Sequence, residues 1–323
     1  MAHVVALRPV HPAALELLRS KGHTVEVLDP VNERTIAASI PNAEAIIVRG
    51  TRIDRAFLAH APKLRICARH GVGYDAVDVP ALTERGIPLT VTPDANAASV
   101  AEHAMMLMLN IARGTFTYDA KVRGMTWSNP PVPDTFDLGG KTVLVMGFGR
   151  IGGRVARLCA AFGMRVLVRD PYIPQNTIKG AGFIPVKDLA AALAEADVVT
   201  IHLPSNEQTR GMVNGEFLAS MKKGATFINT ARGTLVDERA LANALSSGHL
   251  KAAGLDVFWE EPANPDNPLL KAPNTVFTPH SAAATEQGLY RMAMSCAESI
   301  IQVFENQLDP DVVINQEVLR RNA

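Results

Sequence analysis

Residues 143–153 read VLVMGFGRIGG, and this stretch decides the fold. Aliphatic and β-branched residues run into Gly147-x-Gly149-x-x-Gly152. A helix-like segment, RVARLCAAFG, comes next, and a second strand-like run over 164–168 leads to Asp170. Strand, glycine turn, helix, strand and acid, in that order, make the βαβ unit that cradles a dinucleotide. Gly147 permits the tight turn, Gly149 lets backbone approach a pyrophosphate, and Gly152 lets the helix pack on the strand. The helix N-terminus points amide hydrogens and partial positive charge at the phosphates. Asp170 stands 170 − 152 = 18 residues past the last glycine, near the spacing of about 20 for an acid that binds the adenosine ribose. Arg169 beside it could instead receive a 2′-phosphate, but the position of the acid favours NAD.

Downstream, VLVMG, RVLVRD, DVVTIHLP, ATFINTAR, AAGLDVF and TVFTPH are six strand candidates, separated by helical segments such as VKDLAAALAEA and DERALANALSSG. Six parallel strands suit a doubly wound dinucleotide domain. The fingerprint begins almost halfway along the chain, so another unit precedes it. There HVVALRP, TVEVLD, EAIIVRG and RICARHG alternate with helical segments, which implies a second parallel sheet without a phosphate-binding turn. The long final helix, ATEQGLYRMAMSCAESIIQVFENQ, is expected to return the chain to that first domain. The expected class is α/β, with two Rossmann-like doubly wound parallel-sheet domains. The dinucleotide domain, 100–287, is inserted into a domain made of 1–99 and 288–323.

Composition narrows the function classes. The 323 residues are 47% hydrophobic, and Lys+Arg and Asp+Glu both number 32, so bulk charge recruits neither nucleic acid nor membrane. Cys67, Cys159 and Cys296 fit no metal spacing and read as buried thiols of a reducing cytoplasm. The N-terminus lacks a signal-peptide pattern, and no apolar run reaches the ~20 residues of a membrane span. Ser99-x-x-Glu102 reads as a capping box opening a helix over 100–113 that is apolar on nearly every face. A loop around Trp127, with Pro130, Pro131 and Pro133, reads as an arm. Together the two segments predict a two-fold homodimer.

Three motifs follow the fingerprint, each at the C-terminal end of a predicted strand, where open α/β sheets bind ligands. They are NTARG with Arg232, DVFWEEP with Glu260 and Glu261, and TPH with His280. With HGVGYDAVD, SVAEH, GFGRIGG, RDP, HLP and LDVF, they make the chain resemble the D-isomer-specific 2-hydroxyacid dehydrogenases over nearly its whole length, in a phosphoglycerate dehydrogenase-like branch. The family pattern sets its arginine and glutamate 29 residues apart, and 261 − 232 = 29 selects Glu261 over Glu260.

The resemblance implies an NAD-dependent enzyme interconverting a small D-2-hydroxy acid and its 2-oxo acid. 3-Phosphoglycerate and hydroxypyruvate or glyoxylate are the leading substrates. It implies His280 as acid–base, Glu261 as its carboxylate partner and Arg232 as ligand of the substrate carboxylate, roles that suit those side chains. It implies cofactor contacts at Gly147, Gly149, Arg150, Ile151, Gly152, Asp170, His202, Pro204, Thr230 and Asp256. It also makes the first domain the substrate domain, with the amides of Val72 and Gly73 as an anion nest. Arg49 and Arg52 read equally as ligands of an anionic substrate tail or as solvated charges. His103 reads as structural, and His70 stays open between substrate contact and structure. SAAAT after His280 departs from the family pattern. Some phosphoglycerate-oxidising members carry a C-terminal regulatory domain, and feedback through one is not expected with the chain ending at Ala323. A dinucleotide-sensing corepressor or scaffold of the same fold is the alternative from another class.

Overall fold

The computed structural model describes residues 1–126 and 135–320. Trp127 and the prolines at 130, 131 and 133, read above as an arm, lie outside the described residues. The chain divides into two compact units, Met1–Asn96 with Ala284–Ala323, and Ala97–Ala283.

The first unit is built on β1 (His3–Leu7), β2 (Thr24–Leu28), β3 (Ala45–Val48), β4 (Ile66–Arg69) and β5 (Leu89–Thr90), in the order β2-β1-β3-β4-β5. All neighbours are parallel. Every residue of β3 is buried, as a strand covered on both faces requires. The sequence showed four strands here. The fifth has two residues, too few for a pattern, and the C-terminal segment holds it. Ile314 N–H donates to Leu89 O at 2.9 Å, and the Asn315 side chain accepts from Leu89 N–H at 2.8 Å. The helix Glu286–Phe304 buries Ala293, Cys296, Ala297 and Ile300 in one core with Val4, Ala6, Leu18 and Ile66. Packing therefore ties the end of the chain to its beginning.

The second unit contains β6 (Thr142–Met146), β7 (Arg165–Arg169), β8 (Ile184–Pro185), β9 (Val198–Ile201), β10 (Thr226–Asn229), β11 (Ala252–Leu255) and β12 (Thr275–Phe277). The order is β12-β11-β10-β9-β6-β7-β8, again all parallel. Among the described residues, seven strands replace the six read from the sequence. The addition is β8, a two-residue edge strand ending in Pro185, which an edge tolerates. Strand order reverses between β6 and β9, and beyond the carboxyl ends at such a switch point a crevice for ligand opens.

The helix Ala97–Arg113 starts two residues before Ser99, so Ser99 lies in its first turn and is not the cap read from the capping-box pattern. Ala101, Ala104, Met105, Leu107 and Met108 share a core with Val143, Val145, Val155 and Val166. Gly254 of β11 allows this approach, since a Cβ there would lie 3.0 Å from Leu107 Cβ and 2.9 Å from Ile228 Cδ1. The opposite face carries Met106, 37% exposed. The helix is thus buried on one side by its own sheet.

Candidate active site

The glycine turn follows β6 and opens the helix Arg150–Ala161. Gly147 has φ +92°, and a Cβ there would lie 2.5 Å from His202 O, across the switch point at the end of β9. At Gly152 a Cβ would lie 1.9 Å from Gly147 O. Gly149 caps the helix without a side-chain hydrogen bond and has nothing within 4 Å of its Cβ position. The result is a tightly packed turn with an open, amide-lined mouth, the cradle a pyrophosphate needs. Ile151 packs on the helix core, and Arg150 begins the helix.

Asp170 follows β7. Its Oδ2 accepts Phe148 N–H at 2.8 Å, and its Oδ1 accepts Tyr172 N–H at 2.9 Å and Ile173 N–H at 3.2 Å. The acid thereby holds the glycine turn while it borders a cavity of about 390 Å³ lined by Arg169, Pro171, Tyr172 and Ile178. Just beyond the ends of β9 and β10, the buried His202 Nδ1 and Thr230 Oγ1 lack a hydrogen-bond partner among the described residues. Burial pushes the His202 imidazole down to about 3, so it is neutral and available as a hydrogen-bonding group. Its Nε2 is 3.0 Å from Thr200 Oγ1. Pro204 is exposed beside it. Compact glycine turn, open helix end and unpartnered buried polar atoms all fit a bound dinucleotide.

The NTARG, EEP and TPH motifs converge beyond β10, β11 and β12. Gly233 explains part of this, because a Cβ there would lie 1.9 Å from Phe258 C and 2.0 Å from Phe258 O. The Arg232 loop therefore lies directly on the loop that carries Glu261. The Glu261 side chain makes two contacts, Oε1 with Phe258 N–H at 3.1 Å and Oε2 with His280 Nδ1 at 2.6 Å. Burial works to raise the Glu261 carboxyl, but the His280 hydrogen bond and charge, the Phe258 amide and the Arg232 charge outweigh it and hold it below the usual range. His280 has φ +51°, and its N–H donates to Asp256 O at 2.7 Å. With Nδ1 turned to Glu261, Nε2 is the ring atom left for a ligand. A largely apolar cavity of about 440 Å³, bordered by Phe258, Pro262, Leu270 and Phe277, adjoins the pair.

Asp256, expected at the cofactor, is fully buried, and its carboxylate accepts hydrogen bonds from the chain around His280. In the first unit, the loop with Val72 and Gly73 is pinned by Arg69, whose Nε donates to Gly73 O at 2.7 Å and whose Nη1 reaches Val48 O and His70 O. The sequence reading missed Arg69. It is the last residue of β4, and its contacts with the following loop are visible only in the folded chain. Arg49 donates to Pro9 O at 2.8 Å, while Arg52, 81% exposed, pairs with Asp54 at 3.4 Å. His70 is buried with Nε2 unpartnered, and burial together with the charges of Arg49 and Arg69 pushes it down to about 4.

The profile described as "D-isomer specific 2-hydroxyacid dehydrogenase, NAD binding domain" matches residues 105–282. A glyoxylate reductase of Aeropyrum pernix is 40% identical over 329 residues, covering 98% of this chain and 97% of that one. The chain belongs to the D-isomer-specific 2-hydroxyacid dehydrogenase family. The D-3-phosphoglycerate dehydrogenase of Mycobacterium tuberculosis is 42% identical over 306 residues, 92% of this chain and 57% of that one. The chain thus spans little more than half the length of that family member. Among solved structures, a D-lactate dehydrogenase from Aquifex aeolicus, complexed with NAD and lactic acid, matches with a TM-score of 0.85 at 27% identity, covering 97% of this chain and 99% of that one. The dehydrogenase family's NAD-binding domain therefore coincides with the unit that carries the glycine turn, Arg232, Glu261 and His280. No described helix is long and apolar enough to cross a membrane.

Proposed function

We propose that this chain is an NAD-dependent oxidoreductase that interconverts a small D-2-hydroxy acid and its 2-oxo acid. 3-Phosphoglycerate and hydroxypyruvate or glyoxylate are its leading substrates. The observation that carries this reading is the 2.6 Å contact between His280 Nδ1 and Glu261 Oε2, set at the strand ends of a sheet whose glycine turn fits a dinucleotide. Gly147, Gly149, Arg150, Ile151 and Gly152 hold the pyrophosphate, Asp170 the adenosine ribose, and His202, Pro204, Thr230 and Asp256 border the nicotinamide side.

The chemistry that a bound nicotinamide would supply at this site is hydride transfer. His280 moves the proton: Nε2 gives it to the 2-oxo oxygen in reduction and takes it from the hydroxyl in oxidation. Glu261 fixes the ring and stabilises the imidazolium. Arg232 presents a planar, permanently charged fork to the substrate carboxylate and to charge developing on oxygen. In the first unit, the backbone amides of Val72 and Gly73 are the candidate anion nest, and Arg49 is the candidate contact for an anionic group.

A panel of 2-oxo acids, followed by loss of NADH absorbance, tests the reading. Turnover is expected with hydroxypyruvate, glyoxylate or 3-phosphohydroxypyruvate, and no turnover across the panel contradicts it. In the same assay kcat/KM for NADH should exceed that for NADPH by about tenfold or more, because the Asp170 carboxylate repels a 2′-phosphate. A preference for NADPH would remove Asp170 from this role.

The reading includes a two-fold homodimer in a reducing cytoplasm. It is supported by three buried free cysteines, by the exposed Met106, and by the helix Thr115–Arg123, which buries none of its residues and exposes Phe116, Tyr118 and Val122. Sedimentation at micromolar concentration should give twice the 34.6 kDa chain mass, and charged substitutions at Met106 and Leu109 should shift it toward one. A wild-type protein that sediments as a monomer contradicts this part.

A further inference from the structure

Asp256 is fully buried at the end of β11, where an isolated carboxylate is costly unless donors surround it. Its Oδ1 accepts the Thr278 hydroxyl at 2.6 Å and Ser281 N–H at 2.8 Å, and its Oδ2 accepts Ala282 N–H at 3.0 Å. Its backbone oxygen accepts His280 N–H at 2.7 Å. One residue thus gathers three consecutive amides, 280, 281 and 282. This holds His280 at φ +51°, a left-handed region that residues with a Cβ rarely adopt.

Behind this carboxylate stands a second pair. His103 Nε2, on the helix Ala97–Arg113, lies 2.8 Å from Thr278 Oγ1 and 3.5 Å from Asp256 Oδ1. A hydroxyl has one hydrogen, and the short contact to a carboxylate takes it. His103 Nε2 therefore carries a hydrogen and donates it to Thr278 Oγ1. The chain of donation runs from His103 to Thr278 to Asp256, and each step fixes the rotamer of the next.

We propose that Thr278 and His103 are positioning residues for the acid–base. By orienting the Asp256 carboxylate they hold the 280–282 turn, and so place the His280 imidazole against Glu261 and the substrate oxygen. The role of SAAAT, which departs from the family pattern, follows from this. Its first two residues contribute amides to Asp256, for which small side chains suffice. The proposal rests on the reading of His280 as acid–base.

Thr278→Val and Thr278→Ser separate positioning from packing. Valine keeps the shape of threonine and loses the hydroxyl, whereas serine keeps the hydroxyl and loses a methyl. In the full chain, with the 2-oxo acid that NADH reduces fastest, Thr278→Val should lower kcat about tenfold with KM changed less than about threefold. A misplacement of about 1 Å at a reacting group can cost about 10²-fold, and a fraction of that shift is expected to cost about tenfold. Thr278→Ser should restore most of the rate. Without substrate or cofactor, the imidazole resonances of His280 should move in Thr278→Val and return in Thr278→Ser. The pair His103→Leu and His103→Gln should repeat the pattern, with glutamine retaining the donor, and serves if the valine variant does not fold. Wild-type kcat and resonances in Thr278→Val, or a larger loss in Thr278→Ser, overturn the proposal. Full activity in His280→Ala would instead remove the reading on which it rests.

Discussion

Replacing His280 with alanine lowers kcat by about 10²–10⁴-fold, the usual share of a positioned general acid–base. The imidazole is held by Glu261 at Nδ1 and the backbone N–H of His280 donates to Asp256 O, which leaves Nε2 to act on the substrate. NADH affinity should change little, because none of the groups assigned to the pyrophosphate or ribose is touched. Steady-state kinetics and fluorescence titration of NADH check the two halves separately. A variant with wild-type kcat would exclude His280 from the proton transfer. A variant that loses NADH affinity in step with kcat would point to a role in holding the cofactor instead.

Gly152→Ala should damage both fold and cofactor binding. The added methyl would sit 1.9 Å from Gly147 O and 2.9 Å from Gly147 C, and neither atom is the end of a flexible side chain. The helix Arg150–Ala161 must then move away from the turn, at a cost of about 1–3 kcal/mol or more. That shift displaces the helix N-terminus from the phosphates it is placed to bind. The expected results are a melting temperature several degrees lower and an NADH affinity reduced by about tenfold or more. Gly149→Ala is the control within the same turn. Its φ is −79°, and nothing lies within 4 Å of the new Cβ, so stability should hold while the methyl obstructs close approach of a pyrophosphate. Equal melting temperatures for Gly152→Ala and the wild type would contradict this packing account.

The glycine turn was legible because its sequence is its mechanism: each glycine stands where a Cβ would meet backbone or block a ligand. The paired sheets were legible from buried parallel strands, which read as continuous apolar runs. β5 and β8 were not, since two residues carry no periodicity and tertiary pairing alone defines them. Ser99 misled because a capping pattern fits any Ser-x-x-Glu, and the helix had already begun at Ala97. The 29-residue spacing selected Glu261, and its contact with His280 follows from Gly233 allowing one loop to lie on the other. Asp256, Thr278 and His103 come from 103, 256 and 278, and no local pattern joins such distant positions. Arg69 shows the same limit in the first unit, where its side chain joins the ends of β3 and β4 to the loop at Gly73.

The central claim is hydride transfer to the C2 carbon of a 2-oxo acid with a proton from His280. A dinucleotide-sensing scaffold of the same fold would bind NADH and transfer nothing. Incubation with NADH deuterated at both C4 positions and the best substrate of the panel, followed by mass spectrometry and chiral analysis of the product, decides between them. The account predicts one deuterium on C2 of a D-2-hydroxy acid in wild type, with the rate falling by about 10²–10⁴-fold in His280→Ala. Tight NADH binding with no deuterium in any product would contradict it.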